Sequence, residues 1–321
     1  MEQTVSPARD LPGEGMSTIV GLLGVPSSAG AFAPGQEKAP QAMRQMGLVT
    51  DLRAAGVAVV DHGDSPLWRW RPDQTQRSAQ NLAVVATQAR TTAARVREIV
   101  KLGQIPLVLG GDCTIELGVV AGHLPTQERM ALLYFDLHPD LNIPTSVPEG
   151  ALDWMGVAHL LGVEGATDTL SRIGPRFPLL ADDDVLLFAY GPEQSTPWER
   201  ETIERRGLRG IPVAEVRAAP EAVAAAAVAQ LESRCDRLLV HFDVDVIDFT
   251  DAPLSENTGR NQGLSFAQAF AALRVLLASD RLAALTITEL NPDHGAEDGS
   301  TLARFVAALV DALAGAVGSD R

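Results

Sequence analysis

Lysine and cysteine are nearly absent from this 321-residue chain, and positive charge is in deficit overall. Lys38 and Lys101 are the only lysines; arginine supplies the rest of the basic character, a skew that marks no anion site. The formal charge of −15 and a pI of about 4.8 argue against sequence-independent attraction to nucleic acid or anionic lipid. The two cysteines, Cys113 and Cys235, are far apart and make no disulfide framework, which fits a reducing cytoplasm. No run of about 18 apolar residues is free of charge, so no membrane span is expected. Residues 1–16 are polar, acidic and rich in proline and glycine, without the apolar core of a secretory signal. They read as a loose tail ahead of a single domain over 17–321.

What is present is enough apolar material, 46% of residues, for a substantial core. Strand-like runs at 17–26, 57–61, 105–109, 131–135, 184–190, 238–242 and 282–290 alternate with helical patterns at 39–55, 78–102, from 114, 154–161, 197–206, 220–233, 266–278 and 300–315. Ser265 and Gln268 form a capping-box pair, and Ser300 reads as the cap of the closing helix. Such alternation is the signature of an α/β domain with a parallel sheet. Trp68 and Trp70 alternate with Arg69 and Arg71, but in so acidic a chain this reads as a packed loop or subunit contact rather than a surface for bases.

Three apolar runs end in polar sets: IPLVLGGDC, ALLYFDLHPDLN and LLVHFDVDVID. If the extended backbone continues, Asp136, His138 and Asp140 share one face, as do Asp243 and Asp245. In a parallel sheet all three sets lie beyond the carboxyl ends of the strands, where ligands collect. Burying so many carboxylates without a cation is very costly, so the pattern points to a metal site with two ions.

In this order, and together with Glu289 in ELNP, these sets resemble the ureohydrolase family of arginases, agmatinases and formimidoylglutamases from about residue 17 onward. The resemblance implies a three-layer α/β/α fold around a central, mostly parallel sheet, a pair of manganese ions, and a trimeric or hexameric homo-oligomer. Carried over by position, it implies one ion on Cys113, Asp136, Asp140 and Asp243, and another on His138, Asp136, Asp243 and Asp245. It further implies hydrolysis of a guanidino or amidino C–N bond by a metal-activated hydroxide. Asp140 would orient the hydroxide, Glu289 would pair with the guanidinium, and Asn142 would contact substrate.

The departures from that family matter equally. Cys113 stands where the family motif reads GGDHS, exchanging an imidazole for a thiol and bringing zinc or iron into contention. Asp153 takes the place of a proton-shuttling histidine, with His294 or His159 as substitutes. Glu149 replaces a small hydroxyl residue that contacts the amino-acid end of arginine, and FAYGPEQ replaces an acidic turn, so the expected substrate is not arginine itself. The loop APLSENTGRNQG is expected to bring Asn257 and Arg260 to the substrate. Two rival readings remain: a one-metal, deacetylase-like amidohydrolase using His138 with Asp136 and Asp245, and a non-catalytic guanidino-binding subunit. Cys235 reads as structural, and His62, His123 and His241 as packing or surface residues.

Overall fold

The computed structural model describes residues 18–125 and 128–317, so the expected N-terminal tail lies outside the described residues. Among the described residues eight strands form one sheet: β1 Ile19–Gly24, β2 Ala58–Asp64, β3 Ile105–Leu109, β4 Met130–Phe135, β5 Val185–Tyr190, β6 Arg209–Pro212, β7 Arg237–Asp243 and β8 Leu282–Thr288. Their order is β2-β1-β3-β8-β7-β4-β5-β6, and every pairing is parallel.

Strand β4 shows how the sequence makes three layers. Ala131, Leu133 and Phe135 enter one core, while Met130, Leu132 and Tyr134 enter the other, as the two-residue period of a strand requires. The first core is closed by helices Ala39–Gln45, Leu48–Ala54, Pro220–Glu232, Phe266–Leu277 and Ser300–Val317, the second by Leu82–Lys101, Ile115–His123 and Gly156–Leu160. A sheet buried on both faces needs the continuous apolar strands that this sequence supplies. Among the described residues no helix is long and apolar enough to cross a membrane.

Local details depart from the sequence reading for identifiable reasons. The helix expected over 39–55 is two helices, because Gly47 adopts φ 97° between them. The helix expected from residue 78 begins at Leu82, after Asn81 turns at φ 57°. Ser300 is the first residue of its helix, and Asp298 accepts its N–H at 2.9 Å. Strand β6 and the helix Val213–Ala218 had no clear signal, being short and half-polar. The capping box of Ser265 and Gln268 is formed as expected.

The Gly-Gly pair after β3 fastens three loops at the rim. Asp112 N–H donates to Ser27 O at 2.9 Å, and Glu289 N–H donates to Gly111 O at 2.8 Å. A Cβ on Gly111 would sit 1.5 Å from the carbonyl oxygen of Ser27, an overlap with backbone that no rotamer change relieves. Gly111→Ala should therefore destabilise the fold by about 3 kcal/mol or more. Thermal or urea unfolding measures this, and a variant as stable as the parent would contradict the close approach.

Candidate metal centre

Strands β3, β8, β7 and β4 are consecutive in the sheet, and the polar sets follow the carboxyl ends of these four central strands. The backbone leaves the extended form after Phe135, so simple alternation along a strand does not unite Asp136, His138 and Asp140. Instead Asp136 Oδ1 accepts the amide of His138 at 2.6 Å, and Asp243 Oδ1 accepts the amide of Asp245 at 2.7 Å. This is the turn that aspartate favours, and it folds the first and third side chains of each set toward each other. His138 Nδ1 then meets Asp245 Oδ2 at 2.8 Å.

Two further acidic residues are held in strained backbone. Asp140 has φ 48° and Glu289 φ 59°, in the left-handed region that side chains disfavour. Asp140 Oδ2 accepts the Tyr134 hydroxyl at 2.5 Å. Glu289 accepts the Cys113 amide at 3.0 Å on one oxygen and Gln36 Nε2 at 2.9 Å on the other.

Ligand atoms of Cys113, Asp136, His241 and Asp243 lie within 4.8 Å of one another, as do those of Asp136, His138 and Asp245. Asp136 belongs to both groups, so the two sets are joined through its carboxylate. Asp140 belongs to neither. His241, read from sequence as a packing residue, is a member. The signal that would have found it is its place two residues before Asp243 on β7, hence on the same face.

Charge in this region is badly unbalanced. Burial pushes the carboxyls of Asp136 and Asp243 well above the usual range, and neighbouring carboxylates push them further. Burial likewise raises Asp140, Asp153 and Glu289. Burial pushes Asp245 up too, but the charge and hydrogen bond of His138 outweigh it and hold this carboxyl low. His138 shows the reciprocal balance: burial opposes its charge, yet Asp245 lifts it to about 9. The Cys113 thiol, donating to Asp243 Oδ2 at 2.9 Å, is pushed up by burial and by that carboxylate. Asp245 Oδ1 is buried and has no partner. Carboxylate oxygens, imidazoles and a thiol around such a deficit fit divalent ions.

A cavity of about 480 Å³ opens onto this set. Among the described residues nine carboxylates line it, and no lysine or arginine does. Of the residues expected to contact substrate or carry protons, Asn142, Glu149, Asp153 and Asn257 are in the lining. Arg260 and His294 are not: the Arg260 guanidinium lies 5.1 Å from the centre of the Phe249 ring, and His294 Nδ1 lies 2.8 Å from Ser255 O. Sequence reasoning missed Gln36, Glu199 and Glu256; Glu199 has no local motif beyond its place in the capping box with Thr196.

Comparison with known proteins agrees with this architecture. Residues 18–315 match the model of the arginase family. The chain is 29% identical to an arginase of Bacillus caldovelox over 276 residues, 85% of this chain and 91% of that protein. It is 28% identical to human arginase-1 over 284 residues, 87% of each. The solved structure of the Bacillus caldovelox arginase superposes with a TM-score of 0.82 at 26% identity, covering 93% of this chain and 98% of the other.

His159 is fully buried and away from the cavity lining, with Nδ1 2.7 Å from Met155 O and Nε2 unpartnered. Burial depresses its pKa to about 4. The unfolded chain therefore takes up this proton first: the contribution to stability is full above pH about 6.5 and is lost as pH falls toward 4. That loss is on the order of 3 kcal/mol. Unfolding of parent and His159→Gln compared at pH 7 and pH 4.5 should show a shallower acid decline in the variant; equal slopes would refute a neutral buried imidazole.

Proposed function

The chain belongs to the arginase family, and from that premise we propose that it hydrolyses the C–N bond of a linear guanidino or amidino cation whose tail bears no carboxylate. The observation that carries this reading is the cavity lining, with nine carboxylates and no basic side chain other than His138. Glu149, in the lining, would repel a carboxylate at the far end of the substrate and attract an amine.

The inner donors fit two divalent ions, manganese by family resemblance. Cys113, Asp136 and Asp243 would hold one, and His138, Asp136 and Asp245 the other. When bound, the ions would supply Lewis acidity and a water acidic enough to ionise near neutral pH. The chain's own residues do the rest. Glu289, fixed by the Cys113 amide and Gln36, accepts hydrogen bonds from the guanidinium and orients its carbon. Asp140, with one oxygen occupied by Tyr134, keeps the other available to accept a hydrogen bond from the attacking water.

Asp153 lines the cavity, and burial, reinforced by Glu289, Asp112 and Asp140, raises its carboxyl well above the usual range. In this reading it would give a proton to the departing amine, the role that an ordinary aspartate fills poorly near neutral pH. Asn142 accepts Ser146 and Thr196 hydroxyls on Oδ1, at 3.0 and 2.8 Å, which turns its amide N–H groups to the substrate tail. Overall, a guanidinium cation and water give urea and an alkylammonium ion, so atoms and charge balance.

With both ions loaded, the protein should release urea from decarboxylated arginine or a related guanidinoalkane with a higher kcat/KM than from arginine. No product from any member of a guanidino panel at full metal occupancy would refute the assignment. Asp140→Asn should lower kcat by about 10²-fold or more with little change in KM. Glu149→Ser should move selectivity toward arginine by roughly tenfold, read as the ratio of the two kcat/KM values.

A further inference from the structure

Cys113 and His241 differ in kind from the carboxylates around them. Sγ and Nε2 are 3.5 Å apart, and both lie within 4.8 Å of ligand oxygens of Asp136 and Asp243. His241 is fully buried within β7, and its ring is fixed on three sides. Tyr134 stacks on it with centroids 4.1 Å apart and planes 6° from parallel. Thr288 Oγ1 lies 3.2 Å from Nε2, and Glu116 Oε2, from the first turn of the helix Ile115–His123, lies 3.2 Å from Nδ1. A carboxylate on one ring nitrogen, with the other turned to a cluster of donor atoms, is how proteins orient a metal-binding histidine: it holds Nδ1–H and leaves the Nε2 lone pair for the ion.

We propose that Cys113 and His241, with Glu116 positioning the imidazole, make this half of the centre a zinc site, while the His138 half takes a harder ion, so that the two halves hold different metals. The proposal rests on the two-ion reading above. The imidazole missing at position 113 is supplied by the neighbouring strand, and the replacement adds sulfur to the donor set. Sulfur with nitrogen and carboxylate is a set that zinc favours, whereas manganese favours oxygen. A nucleophilic role for the Cys113–His241 pair fits the surroundings less well. Asp243 Oδ2, 2.9 Å from Sγ, opposes a free thiolate, and a bound cation removes that opposition.

Metal-stripped protein equilibrated with equal zinc and manganese, then counted by element, should retain one zinc per chain with manganese in the remaining site. Zinc X-ray absorption should show a sulfur neighbour at about 2.3 Å and a nitrogen at about 2.0 Å. Manganese in both sites, or zinc without sulfur, would overturn the proposal. His241→Ala should weaken zinc roughly tenfold or more and Glu116→Gln about tenfold, without weakening manganese at the other half. Unchanged zinc affinity in His241→Ala would remove His241 from the site. The parent protein's own spectrum decides the sulfur question even where a variant misfolds. Turnover is a separate readout: zinc–sulfur coordination with no hydrolysis of any guanidino compound upholds this proposal and defeats the functional one.

Discussion

Negative charge crowded at the carboxyl ends of four adjacent strands is the constraint on which the rest of the structure depends. Asp136, Asp140, Asp243, Asp245 and Glu289 are each at most 7% exposed, and His138 is the one basic side chain in the cavity lining. Uncompensated, such a set would cost several kcal/mol for each ionised group. The protein meets part of that cost by raising carboxyl pKa values and part through the His138–Asp245 pair. Divalent cations would answer the remainder. The three-layer architecture is suited to this because apolar material on both faces holds the strands rigid while their ends diverge into loops.

Rigidity also explains where strain is kept. Asp140 and Glu289 adopt left-handed backbone, which costs on the order of 1–3 kcal/mol each and persists only when the surroundings impose it. For Glu289 the imposing contacts are the Gly111 carbonyl, the Cys113 amide and Gln36; for Asp140 they are Tyr134 and the Ala158 amide, which donates to its carbonyl at 3.1 Å. Glu289 and Asp140 are thus held by contacts from outside their own residues, whereas Asp136 and Asp243 are held by amides two residues further on. The Gly-Gly pair contributes differently, since its lack of side chains lets the β1, β3 and β8 loops meet at backbone distance.

The alternation of strands and helices and the polar strand ends were legible in the sequence, but not every device. The fold and the three polar sets were legible because buried parallel strands are continuous apolar runs and their ends are abruptly polar. The convergence of Asp136 with His138, and of Asp243 with Asp245, was anticipated through the wrong geometry: an Asx turn, not strand alternation, brings them together. His241 sits two residues before Asp243, but the partners that orient it are distant in sequence. Its companions are Cys113, Glu116 and Tyr134, which reach it from β4 and from the segment after β3. Arg260 was expected at the substrate because it lies in a loop near the site, yet its guanidinium settles against Phe249. Loop proximity in sequence fixes neither direction nor reach.

How the charge divides between metal and substrate follows from the same crowding. Two divalent ions would answer the charge of Asp136, Asp243 and Asp245, leaving Asp140, Glu149, Asp153, Glu199, Glu256 and Glu289 along the rest of the cavity. Burial raises the carboxyl pKa values of Asp153, Glu199 and Glu289 and so opposes their charged forms. A guanidinium in this cavity would favour the charged form of these carboxyls, whereas a carboxylate would find no lysine or arginine among the described lining residues. The chain's net charge of −15 acts in the same direction at longer range, drawing cations toward the surface and discouraging anions. On the proposed reading, selectivity for a cationic substrate would follow from the surplus carboxylates that remain beside the ions.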